Sequence, residues 1–157
     1  MLVEYIDAAM EYVTRCFDRR YQIFTYRGLR TSSRGCTATG ILALSLGGEH
    51  ETEIAQLAGK WLLTQSFVPY NSARHPDHDR YFYSAFYCSQ AMFQLGGDYW
   101  RQFYPPLLHT LSTNQSDDGS WDHEATGETA IYGKAYSSAV AILALTPPYA
   151  MLPIFQR

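Results

Sequence analysis

At 157 residues, 46% hydrophobic and 17% charged, the chain suits one globular domain, residues 1–157, with enough apolar side chain to bury a core. A formal charge of −3, with Lys and Arg scattered rather than gathered, excludes the basic footprint of a nucleic-acid binder. Cys16, Cys36 and Cys88 are odd in number and far apart, without C-x-x-C spacing. They indicate neither a disulfide framework nor a zinc knuckle, and reduced thiols of this kind suit a cytoplasmic chain. Glu4, Asp7 and Glu11 interrupt any secretory apolar core at the start. No window approaches the roughly 18 uninterrupted apolar residues of a membrane span, so a soluble chain without a transmembrane segment is expected.

In chain order, Val3, Ile6, Met10, Val13 and Phe17 mark one apolar stripe on a helix, A1. After a loop comes an apolar helix, B1, at 36–47, closed by Gly47 and Gly48. Ile54, Leu57, Ala58, Trp61 and Leu62 mark A2, and B2 follows at 81–96, closed by Gly96 and Gly97. Trp100, Phe103, Leu107 and Leu111 mark A3, which is expected to begin or kink at Pro105 and Pro106. B3, at 134–145, stops at Pro147 and Pro148, and its apolar or small residues all round call for cover on both sides.

The pattern is an internal repeat. Gly40-Ile-Leu-Ala-Leu44, Ala91-Met-Phe-Gln-Leu95 and Ala141-Ile-Leu-Ala-Leu145 recur at spacings of fifty-one and then fifty residues. Three units, approximately 1–48, 49–97 and 98–157, each pair an amphipathic outer helix with an apolar inner one. No stretch alternates with period two over strand length, so the fold class expected is all-α.

Between A3 and B3 lies Gln115-Ser-Asp-Asp-Gly-Ser-Trp121. Taken alone, Asp117, Asp118 and Gly119 make a turn, since Asp bonds its own backbone and Gly accepts positive φ. In the context of the repeat, Gln115, Asp118, Gly119 and Trp121 resemble the Q-W motif, Q-x-x-D-G-x-W. That motif belongs to the prenyltransferase and squalene-oxidase repeat of squalene-hopene and oxidosqualene cyclases and protein prenyltransferase β subunits. Phe24-Thr25-Tyr26 and the run Tyr81 to Trp100 are similar to bacterial members of the group. The resemblance implies an α/α toroid, of which three helix pairs would form half a ring. Such a half-ring would be completed by a missing N-terminal half or by a second copy. It also implies that Gln115 bonds the backbone at the end of a neighbouring helix and that Trp121 packs across the joint between repeats.

The resemblance also says where chemistry would lie. The general-acid motif of the cyclases, D-x-D-D-T-A or D-C-T-A, falls on Ser33-Arg34-Gly35-Cys36-Thr37-Ala38. Gly35 and Ser33 stand where the two Asp residues belong, and the repeat equivalents of Gly35 are Phe86 and Tyr136. Protonating an alkene or epoxide needs a strong acid, which Cys or Ser cannot supply. The zinc ligands of the prenyltransferases fall on Arg80 to Ser84 and on Gly133, which cannot hold the metal. The G-C-G-E-Q motif of thioester domains departs at once from Gly35-Cys36-Thr37-Ala38. His75, His78 and Asp79 form a metal-like cluster whose simpler reading is a polar loop, so neither metal nor cofactor is implied.

Tyr83, Tyr87, Gln90 and Gln94 share one stripe of B2. Such aromatic faces stabilise cations or cradle an isoprenoid, although core packing is the simpler account of a Tyr-rich helix. Two functions are therefore expected. One is a cyclase-like or prenyltransferase-like domain that binds an apolar, isoprenoid-like ligand without complete catalytic machinery. The other is a non-catalytic α/α scaffold for protein contacts.

Overall fold

The computed structural model describes residues 2–26, 33–72, 79–125 and 129–149. Its helices, in order, are α1 (Leu2–Arg15), α2 (Arg34–Leu46), α3 (Glu53–Leu63), α4 (Tyr81–Leu95), α5 (Gly97–Thr113) and α6 (Thr129–Leu145), followed by a 3-10 turn at Pro147–Tyr149. Strands β1 (Phe17–Asp18) and β2 (Ile23–Phe24) form a minimal antiparallel hairpin in which Phe17 pairs with Phe24. Among the described residues the fold is all-α apart from this hairpin and isolated bridge positions at Tyr26 and Asp79. Among the described residues, no helix is long and apolar enough to cross a membrane.

The inner helices stand in a row. α2 packs most extensively on α4, and α4 on α6, while α3 lies against both α2 and α4 and α5 lies against α4 and α3. Small residues make these approaches possible: Ala38, Ala85, Ala91, Ala141 and Ala144 are all buried. Ser89 Oγ donates to the Ala144 carbonyl at 2.5 Å, which places the α4 and α6 backbones one side chain apart. Around them Leu44, Leu62, Phe82, Met92, Leu107 and Leu111 complete the core. Each such side chain contributes about 1.5–3 kcal/mol on burial.

Local chemistry sets the ends. Ser33 caps α2, its Oγ accepting the Cys36 N–H at 3.2 Å. α6 is helical on either side of Gly133, whose φ of 62° is one that L side chains rarely adopt, so continuous helix begins at 134 as the repeat requires. Phe17, taken with the stripe of A1, belongs instead to the hairpin, because α1 ends at Arg15.

Two expectations are corrected. α5 begins at Gly97 and runs through Pro105 and Pro106. The bonds these prolines cannot donate would go to the carbonyls of Arg101 and Gln102, both exposed residues, so the loss falls on the solvent side of the helix. B3 is not covered on both sides: one face of α6 buries Ser137, Ala141 and Ala144 against its neighbours, while Ile131, Tyr132 and Ile142 are exposed. α1 is likewise bare over Val3, Tyr5 and Ile6, with only Met10 and Val13 packed on the core.

Trp121 ties α5 to α6. Its indole N–H donates to the Leu111 carbonyl at 2.8 Å and its backbone N–H to Ser138 Oγ at 3.0 Å, while its carbonyl accepts Ser137 Oγ at 2.6 Å. Trp121→Ala is expected to lower the free energy of unfolding by about 3–5 kcal/mol, measured by urea denaturation; an unchanged midpoint would show that the indole clamps nothing.

Candidate functional site

The inner face of the row carries tyrosines from two helices. On α4, Tyr83 is 39% exposed and its ring centroid lies 4.6 Å from that of Tyr87. On α6, Tyr132 and Tyr136 lie 5.8 Å apart. A Cβ placed on Gly35 would come within 2.7 Å of the Tyr83 ring. Gly35 thus brings no side chain to this face, and an aromatic ring fills the space beside it.

These groups are close enough to feel one another's charge. Burial first, then Tyr87, Cys36 and Tyr136, push the Tyr83 phenol up to about 12. Burial raises Tyr136 as well, the nearby Glu124 adding to the effect and Arg80 opposing it. Cys36 is raised by burial and by Cys16, and Cys88 is raised by burial in the core. None of these shifts makes an acid or nucleophile at neutral pH; the face favours uncharged groups.

The expected stripe is divided. Tyr83 and Tyr87 share the tyrosine face, whereas Gln90 is turned into the joint between α4 and α6, its Nε2 donating to the Leu143 carbonyl at 3.0 Å. Burial against a neighbouring backbone captures a long amide that helical spacing alone assigns to the inner face. Gln94 is half-buried on the same helix.

Beneath this face lies a buried ion pair that the motifs did not reveal. Arg34 Nε donates to both carboxylate oxygens of Asp79, at 3.1 and 3.0 Å, and Nη1 donates to the Ser66 carbonyl at 3.1 Å. Ser84 Oγ donates to Asp79 at 2.7 Å, and the guanidinium sits 4.3 Å from the centroid of the Phe67 ring. Asp79 therefore serves the joint between α2 and α4. Its companions in the metal-like cluster, His75 and His78, lie outside the described residues. Among the described residues, no three His, Cys, Asp or Glu gather as metal ligands. Glu124 is buried too, and one of its oxygens accepts the Tyr81 N–H at the first turn of α4.

The Q-W loop is a local structure. Gln115 Nε2 donates to the Gly119 carbonyl at 2.8 Å, so Gln115 closes its own loop instead of reaching a neighbouring helix end. Asp118 accepts the Ser120 hydroxyl and N–H at 2.6 and 2.9 Å, bonds that hold its carboxyl below the usual range. Gly119 takes a φ of 84°. Trp121 joins the two helices of one repeat, whereas Asn71 is one of the links between repeats, its Nδ2 donating to the His123 carbonyl at 3.0 Å. On the outer surface a cavity of about 220 Å³ opens between Leu63–Val68 and Gln102, Phe103, Pro106 and Leu107.

No family model, no curated protein and no solved structure matches the chain.

Asp79→Ala, which strands the buried Arg34, is expected to cost about 3–5 kcal/mol, and the pair Arg34→Met with Asp79→Leu to recover most of it; urea denaturation of the three proteins checks this. Because the Tyr83 phenol titrates higher when folded than the value of about 10 in an unfolded chain, its contribution to stability is present below about pH 10 and is lost as pH rises toward about 12. Tyr83→Phe should therefore make the alkaline decline in unfolding free energy shallower over that window.

Proposed function

We propose that this chain is a cyclase- and prenyltransferase-like α/α-repeat domain, a half-ring of three helix pairs, that binds an apolar, isoprenoid-like ligand along its inner tyrosines without transforming it. The observation that carries this reading is the placement of Tyr83 and Tyr87 on α4 within electrostatic reach of Tyr136 on α6, half-exposed above a buried core. Aromatic faces of this kind hold apolar chains by area and developing cations by their quadrupoles. The absence of turnover follows from Gly35, which offers no carboxyl, and from Glu124, whose carboxylate takes up the Tyr81 N–H at the start of α4. A second reading, a non-catalytic scaffold for protein contacts, is favoured by the exposed apolar residues of α1 and α6.

Calorimetric titration with a farnesyl-chain alcohol tests the first reading. Saturable binding by the wild type is expected, weakened roughly tenfold, about 1.4 kcal/mol, by Tyr87→Ala with the far-UV circular dichroism unchanged. A wild type that takes up none leaves the scaffold reading standing.

A further inference from the structure

The cavity of about 220 Å³ on the outer surface shares no residue with the tyrosine face and lies between the end of α3 and the middle of α5. Its floor is apolar and well packed. Phe67, Phe103 and Leu107 are 5%, 7% and 1% exposed, and the two rings meet edge to face with their centroids 5.7 Å apart. A space of this size falls below the roughly 300 Å³ at which sites for drug-sized ligands begin, so it holds about one fused ring.

The polar feature that marks the site is an acceptor. A helix carbonyl points along the axis toward the N–H four residues on. For Gln102 that residue is Pro106, which has no N–H and whose ring crowds the oxygen. Gln102 and Pro106 both line the cavity, so the oxygen deprived of its helical donor stands at the cavity wall. The opposite wall is the C-terminal end of α3, where a helix carries partial negative charge. Donors on that side are already committed: the Thr64 hydroxyl and the Gln65 amide both donate to the Trp61 carbonyl. The space therefore calls for a ligand that brings its own donor. Arg34 already sits 4.3 Å from the centroid of the Phe67 ring, so a neutral N–H suits the site better than a second cation. The chain makes the same pairing internally, where the Trp121 indole N–H donates to the Leu111 carbonyl in the last turn of α5.

We propose that this cavity binds a neutral, flat, fused ring carrying one N–H, of which indole is the simplest, with the ring body against Phe67, Phe103 and Leu107 and the N–H donated to the Gln102 carbonyl. Free indole compounds and the tryptophan side chain of a peptide share that chemistry. The site also gives Pro106 a role. Helix stability alone disfavours a proline inside α5, and an alanine there would donate its own N–H to Gln102 and close the acceptor. The proposal is independent of the isoprenoid reading, since neither Tyr83 nor Tyr87 takes part.

Titration of the isotope-labelled full chain with indole, followed through its amide resonances, tests it. Saturable shifts are expected at residues 63–68 and 102–107. N-methylindole keeps the ring and lacks the donor, and it should bind about tenfold more weakly, as on loss of one hydrogen bond to an acceptor left unpaired. Pro106→Ala supplies the missing helical donor, so its melting temperature should equal or exceed that of the wild type. In that variant the preference for indole over N-methylindole should vanish. The preference is a ratio within one protein, so the wall area lost with the proline ring cancels. Binding of N-acetyltryptophanamide at least as tight as that of indole supports the site with a peptide tryptophan as its source, and binding of indole alone supports it with the free ring. Indole that gives no saturable shifts, or shifts centred on α4, overturns the proposal. A wild type that binds indole and N-methylindole equally also overturns it, as does a preference that survives Pro106→Ala.

Discussion

At the starts of α2 and α4 a guanidinium and a carboxylate are buried together, and the inner face takes its geometry from that pair. Removing either charge would leave the other in a medium that cannot solvate it, so the two helices cannot slide past one another without a large cost. Ser84 and the Ser66 carbonyl add to the arrangement and extend it to the loop after α3, while the buried Arg34 Nη2 has no hydrogen-bond partner. With α2 and α4 held in register, Tyr83 comes to rest on Gly35, and Tyr87 follows one turn later. A buried pair of this kind adds little net stability over an apolar one. Its effect is to specify which turn of α2 meets which turn of α4.

The same register sets which groups line the tyrosine face. Acid catalysis needs a carboxyl whose proton is available at the cavity wall. Gly35 brings no side chain to this wall, and the Tyr83 ring fills the space beside it. The phenols and thiols around it are shifted away from ionisation by burial. Asp79 is consumed by Arg34, and Glu124 caps the first turn of α4. Polar groups that could have served chemistry are spent on holding helices in place.

The two ends of the row differ from its middle for a reason rooted in the repeat. A helix pair buries its apolar stripes only where it has a neighbour on each side. α4 has both neighbours and leaves only its inner face open. Among the described residues no helix packs on the exposed side of α6 or on the bare side of α1. Ala85, Ser89 and Met92 are fully buried in α4, whereas Ala135, Ala139 and Ile142 at the equivalent positions of α6 are exposed. The hairpin resolves part of this at the first end, where Phe24 closes over Gly40.

Sequence periodicity alone determined the helices and their order, because stripes at three- and four-residue spacing and a fifty-residue period follow from helix geometry and repetition. It also determined where B3 becomes continuous helix, since Gly133 precedes it, and the turn at Asp118 and Gly119, because that chemistry is local. The match of Gln115 to Trp121 pointed to a loop motif, yet the partners of Gln115 and Trp121 came only from the tertiary structure. So did the capture of Gln90 by the α6 backbone, the pairing of Arg34 with Asp79 forty-five residues away, and the unbroken helix through Pro105 and Pro106. Periodicity reports which side chains share a face of one helix. What that face meets depends on contacts distant in sequence and on which backbone groups remain open to water, and only the packed chain decides those.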